Sequence, residues 1–296
     1  MTEETTFKHK FETFYNKYYK ALLIIPALII AFCFVYMFIF FSANDGFFYK
    51  DFSLTGGTSI TIIGKIDVDQ LKSALSDKLD EIEIIVVYDI TTREQTALVV
   101  QTKTSADETK DIIESYLGYK LNDENSSTEF ISPALSNTFY KQLMIAMLIA
   151  FVLMAAVIFF IFRSFVPSTA VILAAFADIL MTLVMVNLLG MKVSSAGIVA
   201  FLMLIGYSVD TDILLTNRVL KRHEGTINER LFGAFKTGMT MTIAALLAIV
   251  LALVVSSLFS VVLTQIFTIL MIGLFFDIFN TWVTNASMLK WYMEKK

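Results

Sequence analysis

The sequence predicts a membrane α-helical bundle of six spans that carries one α+β domain outside the membrane. Three observations predict it. Hydrophobic residues make up 56% of the 296-residue chain and its mean hydropathy is +0.70, beyond what a soluble domain of this length carries. Long apolar runs stand at 21–42, 139–162, 168–190, 193–217, 238–258 and 262–289, each near or above the about 20 residues a helix needs to cross a bilayer. Between the first two lies a segment, 43–138, that alternates strand-like with helix-like patterning; over 42–137 acids outnumber bases 17 to 8.

Residues 1–20 form a polar leader with Lys8, Lys10, Lys17 and Lys20. Span 1, 21–42, is too long for a signal-peptide core and ends in Phe40-Phe41-Ser42-Ala43-Asn44 without a small-residue cleavage site, so it reads as a retained anchor. Arg163 lies between spans 2 and 3. Arg218, Lys221, Arg222, Arg230 and Lys236 lie in the connector 218–237, and Lys290, Lys295 and Lys296 in and beside the tail 290–296. The opposite short loops hold only Lys192 and the uncharged Ser256-Ser257-Leu258-Phe259-Ser260. The positive-inside rule then places both termini and the basic connector in the cytoplasm, and 43–138 outside a cell membrane.

The outside segment reads β-α-β-β-α-β: strand 57–63, helix 67–80 with Val68, Leu71, Leu75 and Leu79 at helical spacing, strands 82–88 and 96–102, helix 105–117 and strand 127–132. Ser105 with Glu108 has the form of a capping box. This order predicts a ferredoxin-like domain, with both helices on one face of an antiparallel sheet and the other face free for a partner. The connector 218–237 is expected to be a solvated loop with a short surface helix near Ile227 to Phe235.

Several function classes drop out. There is no basic nucleic-acid face, no Walker-type phosphate loop and no cysteine-histidine cluster, so the expectation is a non-enzymatic chain without cofactor or metal. Cys33 is the lone cysteine and sits in span 1 as a packing residue, and His9 and His223 fall outside the spans. Gly197, Gly206, Gly233, Gly238 and Gly273 are expected to mark close helix approach or helix ends.

Four carboxylates remain inside the spans: Asp178 in span 3, Asp210 and Asp212 in span 4, and Asp277 in span 6, with no intramembrane lysine or arginine to pair them. An acid at the bilayer centre costs roughly 2.5–3.5 kcal/mol on insertion scales, so such a residue marks an ion pathway, a proton relay or a specific partner. These four are the candidates for proton or ion coupling. Asp210 and Asp212 are turned about 200° apart on a helix and cannot share a face. Asp210 lines up with Gly206, Tyr207 and Asn217, and Asp212 with Ser208 and Thr216, whose hydroxyls are expected to serve it. The competing reading is that the acids only hold helices together through hydrogen bonds, which average about 0.6 kcal/mol in membranes.

At Gly206-Tyr207-Ser208-Val209-Asp210-Thr211-Asp212, continuing to Asn217-Arg218-Val219, the chain resembles the SecF branch of the SecD/SecF protein-export family. Asp51-Phe52 followed by Thr55-Gly56-Gly57-Thr58 resembles that family's signature after span 1, and Asp178 falls where the family carries an acid in span 3. The resemblance covers almost the whole chain and implies half of an RND-type transporter. It also implies a SecD partner and assistance to exported polypeptides emerging from the SecY translocon, driven by proton motive force. Bacterial members carry one acid in span 4, where this chain aligns Thr211 between two acids, a pattern associated with archaeal members. They also carry an arginine near the start of span 5, where this chain has Lys236, and their Asp51-type signature is two residues shorter. The resemblance therefore assigns the coupling role to no single position. Two other readings fit the same residues: an RND-type half-transporter for a small molecule or ion, and a non-transporting scaffold of a translocation complex. In each reading, membrane lipid surrounds the spans.

Overall fold

The computed structural model describes residues 3–44, 46–89, 92–221 and 224–295. Arg222, His223 and Lys296 lie outside the described residues, as do the side chains of Lys8 and His9. Among the described residues, six helices are long and apolar enough to cross a membrane. The N-terminal leader is itself helical, α1 (Glu3–Leu22), and α2 (Ile24–Asn44) is the first apolar crossing. The two are separated at Leu23, because Pro26 has no N–H to give the Leu22 carbonyl; the ladder resumes with Ala27 N–H on Leu23 O at 3.3 Å.

The α+β domain, outer to the helical bundle, begins with the short helix α3 (Phe52–Thr55) and continues through β1 (Gly57–Ile63), α4 (Val68–Leu75), β2 (Glu83–Tyr88), β3 (Gln95–Thr102), α5 (Ala106–Leu117) and β4 (Ser126–Ile131). All pairings are antiparallel and the strand order is β2-β3-β1-β4. One face is a dry core in which Ile60, Ile62, Leu98 and Val100 meet Leu71, Leu75 and Ile113, all fully buried. The helix expected over 67–80 stops at Leu75, yet Leu79 still reaches this core from the turn that follows. Ser105 does sit at an N-cap, but its side chain makes no capping bond; its carbonyl accepts the Thr109 hydroxyl one turn on.

The rest of the chain is the bundle: α6 (Pro133–Phe162), α7 (Phe165–Leu188), α8 (Ser195–Lys221), α9 (Ile227–Ser256), α10 (Val261–Phe279), a π-helical turn (Asn280–Asn285) and α11 (Ala286–Lys295). The most apolar windows of α7 and α8 are 61% and 56% buried against 11–28% for the others, so these two helices form the centre and the rest surround them. Gly273 on α10 admits Leu204 of α8 so closely that a Cβ there would lie 2.5 Å from the leucine methyls. Gly206 has open space instead, which corrects its reading as a close-approach glycine.

The connector expected as a loop over 218–237 is nearly all helix. Favourable helix formers carry α8 to Lys221, and α9 starts at a capping box: Glu229 N–H bonds Thr226 Oγ1 at 3.2 Å and Thr226 N–H bonds Glu229 Oε2 at 3.0 Å. Arg230 then donates to the Val219 carbonyl at 2.8 Å, and Arg218 to the Gly233 carbonyl, tying the ends of α8 and α9 together. The short surface helix expected near Ile227 is therefore the first turns of α9.

Candidate functional site

The central helices bring three of the four acids to one buried place. Asp178 of α7, Asp212 of α8 and Asp277 of α10 each have zero exposed surface. Ser208, one turn before Asp212, donates to Asp178 Oδ2 at 2.5 Å, and Asn280 Nδ2 donates to Asp178 Oδ1 at 2.7 Å. Asp212 Oδ1 receives Asn285 Nδ2 at 2.7 Å and lies 3.0 Å from the Thr281 hydroxyl, which is also 3.3 Å from Asp277 Oδ1. Thr284 donates to Asn280 Oδ1 at 3.1 Å and so orients that amide toward Asp178. Asp212 Oδ2 and Asp277 Oδ2 are buried without a hydrogen-bond partner.

Every side-chain donor in this set is neutral. It comes mostly from the π-turn, where the helix widens by one residue per turn and moves Asn280, Thr281 and Asn285 onto the side facing α7 and α8. The sequence reading missed these three residues. Their signal was present as Asn-Thr-Trp-Val-Thr-Asn, four polar residues inside an otherwise apolar span. The partners expected for Asp212 change accordingly: Ser208 serves Asp178 instead, and Thr216, although buried, leaves its hydroxyl unpaired.

Asp210 is not part of this cluster. It lies exposed on the opposite side of α8 with Gly206, Tyr207 and Met203, the last two 45% and 41% exposed. Lys236, where bacterial members align an arginine, lies exposed on α9.

The Asp51 to Thr58 signature lies outside the bundle, at the root of the outer domain. Asp51 caps α3 by accepting Ser53 N–H at 3.3 Å, and its own N–H binds the Val193 carbonyl at 3.0 Å in the α7–α8 loop. Val193 N–H returns to the Tyr49 carbonyl at 2.6 Å, and Ser195 N–H binds Ser53 Oγ at 3.0 Å. Gly56 and Gly57 take φ of +75° and +138°. A Cβ at Gly56 would stand 2.7 Å from the Ile131 carbonyl oxygen, and one at Gly57 2.3 Å from the Thr102 carbonyl oxygen, so only glycine fits. Thr58 Oγ1 closes the junction on the Thr104 carbonyl at 2.7 Å. The signature is thus a mount for the outer domain.

Residues 112–295 match the family described as "Protein export membrane protein SecD/SecF, C-terminal", a range that contains all four acids and the π-turn. The protein-export membrane protein SecF of Methanothermobacter thermautotrophicus is 40% identical over 281 residues, 94% of each chain. This chain belongs to the SecF family. The SecF of Methanocaldococcus jannaschii is 38% identical over 253 residues, 83% of this chain and 88% of that one. The SecF of Pyrococcus furiosus is 30% identical over 281 residues, 94% and 92%. Among solved structures, SecDF of a Thermus species, a translocon-associated membrane protein, superposes with a TM-score of 0.73 at 20% identity. That match covers 94% of this SecF-family chain and 38% of the Thermus chain, and it shows a shared fold.

Proposed function

We propose that this SecF-family chain is one half of an RND-like transporter that pairs with a SecD-type subunit. The pair uses proton motive force at Asp178, Asp212 and Asp277 to move the outer domain and assist exported polypeptides at the SecY translocon. Residues 43–138 are then the extracytoplasmic domain, both termini are cytoplasmic, and the strand order β2-β3-β1-β4 with both helices on one face supports a ferredoxin-like assignment for that domain.

The observation that carries the proposal is the shared Thr281 hydroxyl. It has one proton and lies between two carboxyl oxygens, Asp212 Oδ1 and Asp277 Oδ1, and among the described residues neither acid has a cationic partner. When both acids are charged it can donate to only one of them; a proton on either acid lets the hydroxyl accept from that acid and donate to the other. Proton arrival and loss therefore switch the hydrogen-bond pattern among α8, α10 and the π-turn, which gives two conformations different proton affinities, the condition for coupling. The continuous joint from α7–α8 through Val193 to Asp51 gives such a change a path to the outer domain.

Asp210 has a separate role in this reading. An exposed carboxylate on an apolar helix face beside Tyr207 and Met203 is costly against lipid and suits a donor on the partner subunit. Substituting Asp212→Asn and Asp210→Asn separately tests the assignment. The first should cut export by about tenfold or more while leaving the pair assembled; the second should reduce recovery of the SecD-type subunit in mild detergent. Normal export with Asp212→Asn at normal complex levels would leave the acids as helix ties and favour the scaffold reading.

A further inference from the structure

The π-turn that supplies the acids with their donors is also held by α1. The last wide hydrogen bond of the turn is Ala286 N–H to the Thr281 carbonyl, five residues back. The α-helix resumes at Ala286, so the next carbonyl, that of Trp282, is skipped by the helical ladder. The Tyr15 hydroxyl of α1 donates to that carbonyl. The Trp282 ring is fixed too: it packs edge-on to Phe235 at 5.0 Å and fills the space above Gly238, where a Cβ would meet it at 2.6 Å.

Eight residues beyond Trp282, Lys290 of α11 is 1% exposed, the largest fully buried side chain among the described residues. Its ammonium donates to Asn16 Oδ1 of α1 at 2.5 Å and to Asn228 Oδ1 of α9 at 2.8 Å, and lies 5.3 Å from the Tyr19 ring. Asn228 Nδ2 also donates to Asn16 Oδ1, at 2.9 Å, and Tyr19 donates to Glu294 Oε2 at 2.5 Å. Among the described residues, the ionisable groups at this joint include Glu12, Tyr15 and Tyr19 of α1 and Lys290 and Glu294 of α11. A buried ammonium stabilises a structure only when its donors are met, so this amide pair sets where α1 sits against α9 and α11.

We infer that α1 is a clamp on the coupling site, with Tyr15 as a positioning residue that keeps the π-turn wide and Lys290 as the lock that holds α1 in place. Without the Tyr15 hydroxyl, the Trp282 carbonyl has a reason to re-enter an α-ladder, which would rotate Asn280, Thr281 and Asn285 relative to Asp178, Asp212 and Asp277. The inference rests on the proton reading proposed above. It adds that the proton affinity of a membrane-buried cluster is set from a helix that supplies none of the donors to its acids.

The test uses the full chain with its SecD-type partner in nanodiscs and follows the carboxylic-acid infrared band against pH, with the band assigned by its loss in Asp212→Asn. Tyr15→Phe keeps the ring in its packed position and removes only the hydroxyl; Lys290→Met removes the lock. Either should move the midpoint of the assigned band by about 0.5 pH unit or more, while Lys17→Ala, an exposed change on the same helix, should not. An unmoved midpoint in both Tyr15→Phe and Lys290→Met overturns the clamp and leaves the proton reading standing. If no titrating band is lost in Asp212→Asn, the proton reading fails, and the positioning role fails with it. If Tyr15→Phe does not accumulate, Lys290→Met alone decides.

Discussion

Asp210 and Asp212 are two residues apart and meet opposite surroundings, because a helix turns neighbours two apart to different sides. Asp212 is enclosed with Asp178 and Asp277, whereas Asp210 faces outward. Asp212→Asn keeps the shape and one donor-acceptor pair, so it should fold and assemble near normally while export falls by about tenfold or more, as measured by secretion in cells. Asp210→Asn should spare the cluster and weaken subunit pairing by about 1.5–3 kcal/mol, the range for hydrogen bonds to charged groups, read as lower recovery of the partner subunit. The division of this pair was legible in the sequence from helical geometry alone. The partners of Asp212 were not, since its donors come from residues 281 and 285, about 70 positions away, and a π-turn has no periodic signal to announce it.

At the scale of elements, the two helix starts with Ser/Thr-x-x-Glu spacing behave differently. Ser105 makes no side-chain cap, while Thr226 and Glu229 exchange both bonds. Thr226→Ala should therefore cost about 1 kcal/mol, visible as a lower thermal midpoint of the purified protein, and Ser105→Ala much less. Gly56→Ala should cost about 1–3 kcal/mol or more, because it forces a left-handed conformation and a clash with the Ile131 carbonyl at once, and it should loosen the outer domain on its mount, as measured by limited proteolysis at the domain root. Strand and helix order in the outer domain was readable from periodicity within one or two residues at most edges. The early end of α4 and the reach of helix into the connector 218–237 were not, because both depend on tertiary contacts, Leu79 with the domain core and the arginine ties between α8 and α9.

For the whole molecule, the architecture connects a buried acid cluster to an outer domain by an unbroken set of contacts. Leu204 against Gly273 locks α8 to α10 beside the acids, and the same apolar cluster continues through Ile198 and Val193 to Phe48 and Leu54 at the domain root. Outside it, Lys192 of the α7–α8 loop pairs with Glu83 of β2 at 2.6 Å, both partly exposed, so this contact guides orientation more than it stabilises. Composition and the six apolar runs were enough to predict a bundle, but not that α7 and α8 form its centre, since the last span is as weakly hydropathic as those two and yet is less enclosed. The central claim is that the buried acids carry protons that drive export. The most direct measurement is proton entry into proteoliposomes holding the purified chain, its SecD-type partner and an engaged exported polypeptide, with an interior pH dye. The account predicts flux with the native chain and its loss in Asp212→Asn at equal protein incorporation. Equal flux in both would contradict it.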